Sequence, residues 1–112
     1  PAFLEKLPPE TFVKEGTDVS LFCVIKGIPA PCVIWLFNKL LVDESTTCLL
    51  RNDGSLCSLK VLKIVPKQSG IYTCKIVNAA GQAECSTHLT VTALEKVLQE
   101  RIEQQIEFEV KG

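Results

Sequence analysis

Ser69-Gly70-Ile71-Tyr72-Thr73-Cys74 is the stretch that decides how this chain is read. Its cysteine lies 51 residues after Cys23, and Trp35, the only tryptophan, lies twelve residues after Cys23. Tyr72 precedes Cys74 by two, so both side chains fall on one face of an extended segment. Around Cys23 the pattern is the same: Val19, Leu21, Cys23 and Ile25 alternate with Ser20 and Phe22. Two half-buried strands, each bringing a cysteine inward, together with an apolar run Val33–Phe37 that carries the indole, make the centre of a two-sheet stack. Such sheets pack about 10 Å apart. The Tyr72 ring belongs to that interior, with its hydroxyl free to cap backbone at a corner.

Working outward, Gly27-Ile28-Pro29-Ala30-Pro31 breaks the chain before the tryptophan strand, and Asn38-Lys39 begins a turn after it. Leu40–Val42 reads as a short edge strand. Thr46–Arg51 and Leu56–Val65 flank Asn52-Asp53-Gly54-Ser55, and Ile71–Val77 and Gln82–Thr92 flank Asn78-Ala79-Ala80-Gly81. Both are hairpin signals. Short strands at such intervals, with no helix between them, predict an all-β sandwich over residues 1–92.

Composition narrows the function classes. The chain has 112 residues, 12 basic and 13 acidic groups, a net charge of −1, and 46% apolar residues. One domain with its own core is expected. The near-neutral balance argues against a nucleic-acid binder, and the apolar runs are too short to span a membrane. No signal peptide is visible, and a chain that starts at Pro1 reads as an excerpt. His88, the only histidine, leaves Ser20, Ser58 and Ser86 without a hydrolytic triad. There is no glycine-rich phosphate loop. No enzymatic activity, cofactor or small-molecule substrate is expected. Asp43-Glu44 reads as a solvated acidic pair, and His88 as an outward surface side chain. No C-x-x-C pair exists, so no metal site is expected. Asn38, Asn52 and Asn78 lack glycosylation sequons, which favours an intracellular setting with reduced thiols.

The residues together resemble the intermediate-set (I-set) immunoglobulin domains of titin-like giant muscle and cytoskeletal proteins. The likeness covers about residues 1–92. It is carried by Pro1-Ala2-Phe3, Glu15-Gly16, Gly27-x-Pro29-x-Pro31-x-x-x-Trp35, Leu59-x-Val61 and Ser69-Gly70-x-Tyr72-x-Cys74-x-x-x-x-Asn78-x-x-Gly81. Two positions depart from the family pattern. Gln68 replaces the usual Asp, which puts the customary corner ion pair in question, and Lys39-Leu40 replaces a common Asp-Gly. The resemblance implies a non-catalytic structural module of the sarcomere or cytoskeleton, contributing to assembly and passive elasticity. Its implied partners are neighbouring immunoglobulin domains in tandem and other sarcomeric or cytoskeletal proteins, in the cytoplasm. It also implies that Phe12–Glu15 runs alongside the last strand and that the two ends lie at opposite poles. The alternatives are an extracellular adhesion or receptor domain, or an actin-binding scaffold domain, for which the lysines look too scattered.

Six cysteines are the informative feature. If Asn78–Gly81 forms a turn, Cys74 and Cys85 face each other on adjacent strands, both inward. Cys23 approaches from the other sheet, so Cys23, Cys74 and Cys85 form the candidate redox group. Similar triads in titin-like domains imply alternative disulfides and exchange between them. Directly opposed antiparallel residues are a strained span for a disulfide, so Cys23–Cys74 is the expected bridge on oxidation. The competing reading keeps all three as reduced, buried hydrophobes. The remaining thiols rank second. Cys57 points inward with Leu59 and Val61, opposite Leu50 across its hairpin and with Cys48 near it; Cys32 faces out, out of phase for a Cys32–Cys57 bridge.

Residues 93–105 are rich in helix formers, with Leu94, Leu98, Ile102 and Ile106 four apart, and are expected to form a helical linker. Residues 106–112 alternate like a strand and read as the start of a next domain or as a frayed tail.

Overall fold

The computed structural model describes residues 1–95. Nine strands form two sheets. Strands β1 (Ala2–Glu5), β3 (Val19–Lys26), β7 (Leu56–Val61) and β6 (Cys48–Asn52) make a four-stranded sheet in the order β1-β3-β7-β6. Strands β2 (Glu10–Lys14), β9 (Gly81–Thr92), β8 (Gly70–Asn78), β4 (Cys32–Phe37) and β5 (Leu40–Leu41) make the other, in the order β2-β9-β8-β4-β5. This is the expected immunoglobulin-like sandwich. The helical linker expected over 93–105 lies, after Glu95, outside the described residues, as does the tail 106–112.

Alternation builds the interior. In β3, Val19, Leu21, Cys23 and Ile25 are buried, while Ser20, Phe22 and Lys26 are exposed. Facing them are Trp35, Tyr72, Cys74, Ile76, Leu89 and Val91. Trp35 is only 3% exposed, so the indole sits where the sequence places it.

The corner before β8 shows how one substitution is absorbed. Pro66–Gln68 forms a single 3-10 turn, and the Tyr72 hydroxyl donates to the Gln68 carbonyl at 2.9 Å. The Gln68 side-chain oxygen accepts from the Val65 N–H at 2.9 Å. Glutamine therefore still closes the corner, without the charge an aspartate would bring. The turn between β4 and β5 is a two-residue loop in which Asn38 and Lys39 both hold positive φ, 48° and 70°. Its twist suits a tight hairpin. Asn38 is anchored further by accepting the Ile71 N–H on its Oδ1 at 2.9 Å.

The chain ends are held differently. β1 pairs antiparallel with the far end of β3, Ala2 opposite Lys26. β2 crosses to the other sheet and pairs in parallel with β9, from Glu10 opposite His88 to Lys14 opposite Thr92. Ala2 thus lies beside the loop that follows Lys26, and Thr92 lies beside Lys14 at the opposite pole. The parallel edge agrees with expectation, and the first and last strand residues, Ala2 and Thr92, lie at opposite poles of the sandwich.

Candidate functional site: a four-thiol core

The hairpin β8–β9 has the expected register, with Val77 opposite Gln82 and Cys74 opposite Cys85. Trp35 is the next residue along the same row, opposite Cys74 on its other side. In the second sheet, Cys23 pairs with Cys57. Two rows of sulfur therefore face each other across the sandwich. Cys23 Sγ lies 3.6 Å from Cys85 Sγ, and Cys57 Sγ lies 3.8 Å from Cys74 Sγ. Cys23, Cys57 and Cys74 are wholly buried; Cys85 is half-buried, its sulfur accepting from the Leu7 N–H at 3.5 Å. All six cysteines are free thiols.

The candidate group of Cys23, Cys74 and Cys85 is thus brought together, and Cys57 joins it. The sequence places Cys57 inward but leaves it in the second tier, because nothing local pairs residues 34 apart across β3 and β7. Its hairpin register also differs from expectation. Cys57 lies opposite Asn52 rather than Leu50, and Cys48 lies opposite Val61, at the far end of the ladder from Cys57. The cause is the loop Asp53–Leu56. Asp53 Oδ1 accepts from the Ser55 and Leu56 N–H groups, and the Asp53 N–H donates to the Leu56 carbonyl at 3.1 Å. These bonds stabilise a four-residue loop and shift every pair by two. The same two N–H donors, Leu56 foremost, hold the exposed Asp53 carboxyl below its ordinary value.

The electrostatics of the core are unequal. Hydrogen bonds from the Cys23 thiol, then the Cys74 thiol, draw Cys57 below the ordinary thiol value, against the effect of burial. Cys23 is pushed up by its hydrogen bonds to Cys57 and Cys74 and by burial. Cys74 is drawn down by Cys23 but ends raised, through Cys57, burial and the charge on its neighbours. The sulfurs of Cys23, Cys57 and Cys74 lie within 4.8 Å of one another, which among the described residues is the grouping with donor spacing for a soft cation.

The other candidates are dispersed. Cys32 is exposed on β4, so a Cys32–Cys57 bridge has no geometry. Cys48 lines an open groove of about 400 Å³ between the sheet edges with Phe37, Leu40, Leu41 and Val61, and its thiol is pushed up by burial and by Glu44. His88, Asp43 and Glu44 are exposed. Among the described residues no helix is long and apolar enough to cross a membrane.

The comparisons with known proteins agree with this architecture. Residues 1–91 match the family model of the immunoglobulin I-set domain. A myosin-binding protein H-like protein of Mus musculus is 37% identical over 93 residues, covering 83% of this chain and 26% of the relative. Smooth-muscle myosin light chain kinase of Gallus gallus is 35% identical over 91 residues, covering 81% of this chain and 5% of the relative. The chain therefore spans about a quarter or less of these relatives. The I-band fragment I67-I69 of titin superposes with a TM-score of 0.79 at 33% identity, over 82% of this chain and 32% of the fragment. Sandwich, corner tyrosine, buried indole and matched sequence converge, and the chain belongs to the immunoglobulin I-set family, with similarity to the immunoglobulin domains of muscle proteins.

Proposed function

We propose that this domain is a non-catalytic structural module of a giant, titin-like muscle filament protein in the cytoplasm of the sarcomere. It would space neighbouring immunoglobulin domains in tandem, contribute to sarcomere assembly and passive elasticity, and dock other sarcomeric proteins. A bridge among the core thiols would tune how far it extends. The observation that carries the reading is the parallel pairing of β2 with β9. The His88 N–H donates to the Pro9 carbonyl at 2.9 Å, and the Glu15 N–H donates to the Thr92 carbonyl at 2.9 Å. Between these two bonds the ladder of residues 10–14 against 88–92 continues. With the ends at opposite poles, tension pulls β2 and β9 past each other. The bonds across the ladder are then loaded together in shear, rather than peeled one at a time.

The test is single-molecule pulling of a tandem polyprotein carrying the Val13→Pro variant. Alternation along the parallel ladder makes the Val13 N–H a donor to β9, and proline removes it. The variant should unfold at a clearly lower force than wild type while its folded spectrum is retained. An unchanged rupture force would sink the load-bearing reading.

A further inference from the structure

We propose that the four core thiols form two cross-sheet disulfides at once, Cys23–Cys85 and Cys57–Cys74, and that half-buried Cys85 is the port through which both are loaded. The pairing follows from how the sheets stack. β3 carries Cys23 over β9 and Cys85; β7 carries Cys57 over β8 and Cys74. The closest sulfur contacts across the core, 3.6 and 3.8 Å, share no atom, so neither bridge excludes the other. The side-by-side pairs Cys23/Cys57 and Cys74/Cys85 lie on adjacent strands and would have to distort the ladder to close.

Access decides the order of events. Cys23, Cys57 and Cys74 are 0% exposed, whereas Cys85 lies near the edge of the core beside Leu7. The oxidant is a small peroxide. Hydrogen peroxide converts the Cys85 thiol to a sulfenic acid, releasing one water. The Cys23 sulfur then attacks the Cys85 sulfur; hydroxide leaves, takes up the Cys23 proton and departs as the second water. The Cys23–Cys85 bridge holds the two oxidising equivalents of one peroxide. Cys74, within 4.8 Å of Cys23, attacks the Cys23 sulfur and returns Cys85 to the thiol. Cys57 then attacks the Cys74 sulfur and returns Cys23 to the thiol. These two exchanges move the bridge to Cys57–Cys74 with no net oxidation. A second peroxide at Cys85 rebuilds Cys23–Cys85, and the core holds four oxidising equivalents. This pairing is independent of the load-bearing reading, because it is a property of the folded domain at rest.

The test treats the 112-residue chain with two equivalents of hydrogen peroxide, blocks remaining thiols with an alkylating agent, and maps cross-linked peptides. Trypsin places each of the six cysteines on its own peptide, so every pairing has a distinct mass. The expected result is a mass loss of about 4 Da before alkylation, as each disulfide removes two hydrogens. Peptides 23/85 and 57/74 should be linked, and only Cys32 and Cys48 alkylated. The Cys85→Ser variant, checked for folding by its buried-tryptophan fluorescence, should show no core oxidation at the same peroxide dose. Linkage 23/74 as the main product would overturn the pairing. Core oxidation in folded Cys85→Ser at the wild-type rate would overturn the port. If that variant fails to fold, the wild-type time course decides, since a 57/74 link that precedes any link to Cys85 is also inconsistent with it.

Discussion

Oxidation should change how much chain the domain releases under tension, and the length lost identifies the bridge. An extended chain spans about 3.3–3.6 Å per residue. Cys23 and Cys85 are 62 residues apart, so a bridge between them withholds about 210 Å of contour. A Cys23–Cys74 bridge encloses 51 residues and withholds about 175 Å. The inner Cys57–Cys74 bridge, with its ends 17 residues apart, is nested within the outer one and adds nothing to the length withheld. The assay is force spectroscopy on polyproteins of wild type, Cys74→Ser and Cys85→Ser, each measured after peroxide and again after reduction. Oxidised wild type and oxidised Cys74→Ser should both fall short by about 210 Å, since Cys85 and Cys23 remain in both. Cys85→Ser should release its full length. If Cys74→Ser regains full length while Cys85→Ser stays short by about 175 Å, the Cys23–Cys74 bridge forms instead and the stacking argument fails.

Two further variants test the local structure. Tyr72→Phe removes the hydrogen bond to the Gln68 carbonyl and should cost about 1 kcal/mol in urea unfolding at neutral pH, with an unchanged m-value. Burial pushes the Tyr72 hydroxyl up to about 12, with a smaller contribution from Cys48. Its contribution is complete below the unfolded-state value near 10. It is lost as pH rises towards 12, because only the unfolded chain releases the proton readily. The wild-type advantage over Tyr72→Phe, measured in reductant, should therefore shrink between pH 10 and 12; a constant advantage would show that the hydroxyl is not buried as described. Lys39→Gly should raise stability by about 0.5–1 kcal/mol in the same assay, because Lys39 holds a left-handed φ of 70° that glycine adopts without strain. A lower midpoint would mean that the lysine side chain contributes something the turn geometry does not explain.

The parts of this fold that were legible in the sequence are those set by neighbours along the chain. Alternation gave the inward faces of Cys23, Cys57 and Trp35, and the compact Asn78–Gly81 turn gave the Cys74–Cys85 pairing, because a two-residue loop leaves little freedom of register. The other hairpin failed for the same kind of reason. Asn52-Asp53-Gly54-Ser55 looks like a tight turn, but the Asp53 side chain holds two N–H groups and makes a longer loop preferable. Membership of Cys57 in the sulfur group could not be read at all. Parity says that it faces inward, but its neighbour Cys23 is set by a long-range ladder, and its contact with Cys74 by the stacking of two sheets. Neither leaves a local mark on the sequence.

The two devices proposed for this domain share strand β9, yet they act on different quantities. The ladder that resists shear uses residues 10–14 and 88–92. Both segments lie outside the loop closed by Cys23 and Cys85, one before its first residue and the other after its last. Tension entering at the C-terminal side of β9 reaches the ladder directly; tension entering at Pro1 first meets the three pairs of β1 with β3, and once these have parted it reaches the ladder before the bridge. From that point the bridge cannot share the load until β2 and β9 have parted, because with β1 released the intact ladder carries the force from β2 straight to β9. Oxidation should thus leave the rupture force of the folded domain as it is in the reduced state, while cutting the chain released after rupture. A rise in rupture force on oxidation would mean that load passes through β3 and the core from the outset, and that the parallel edge is not the element that yields first.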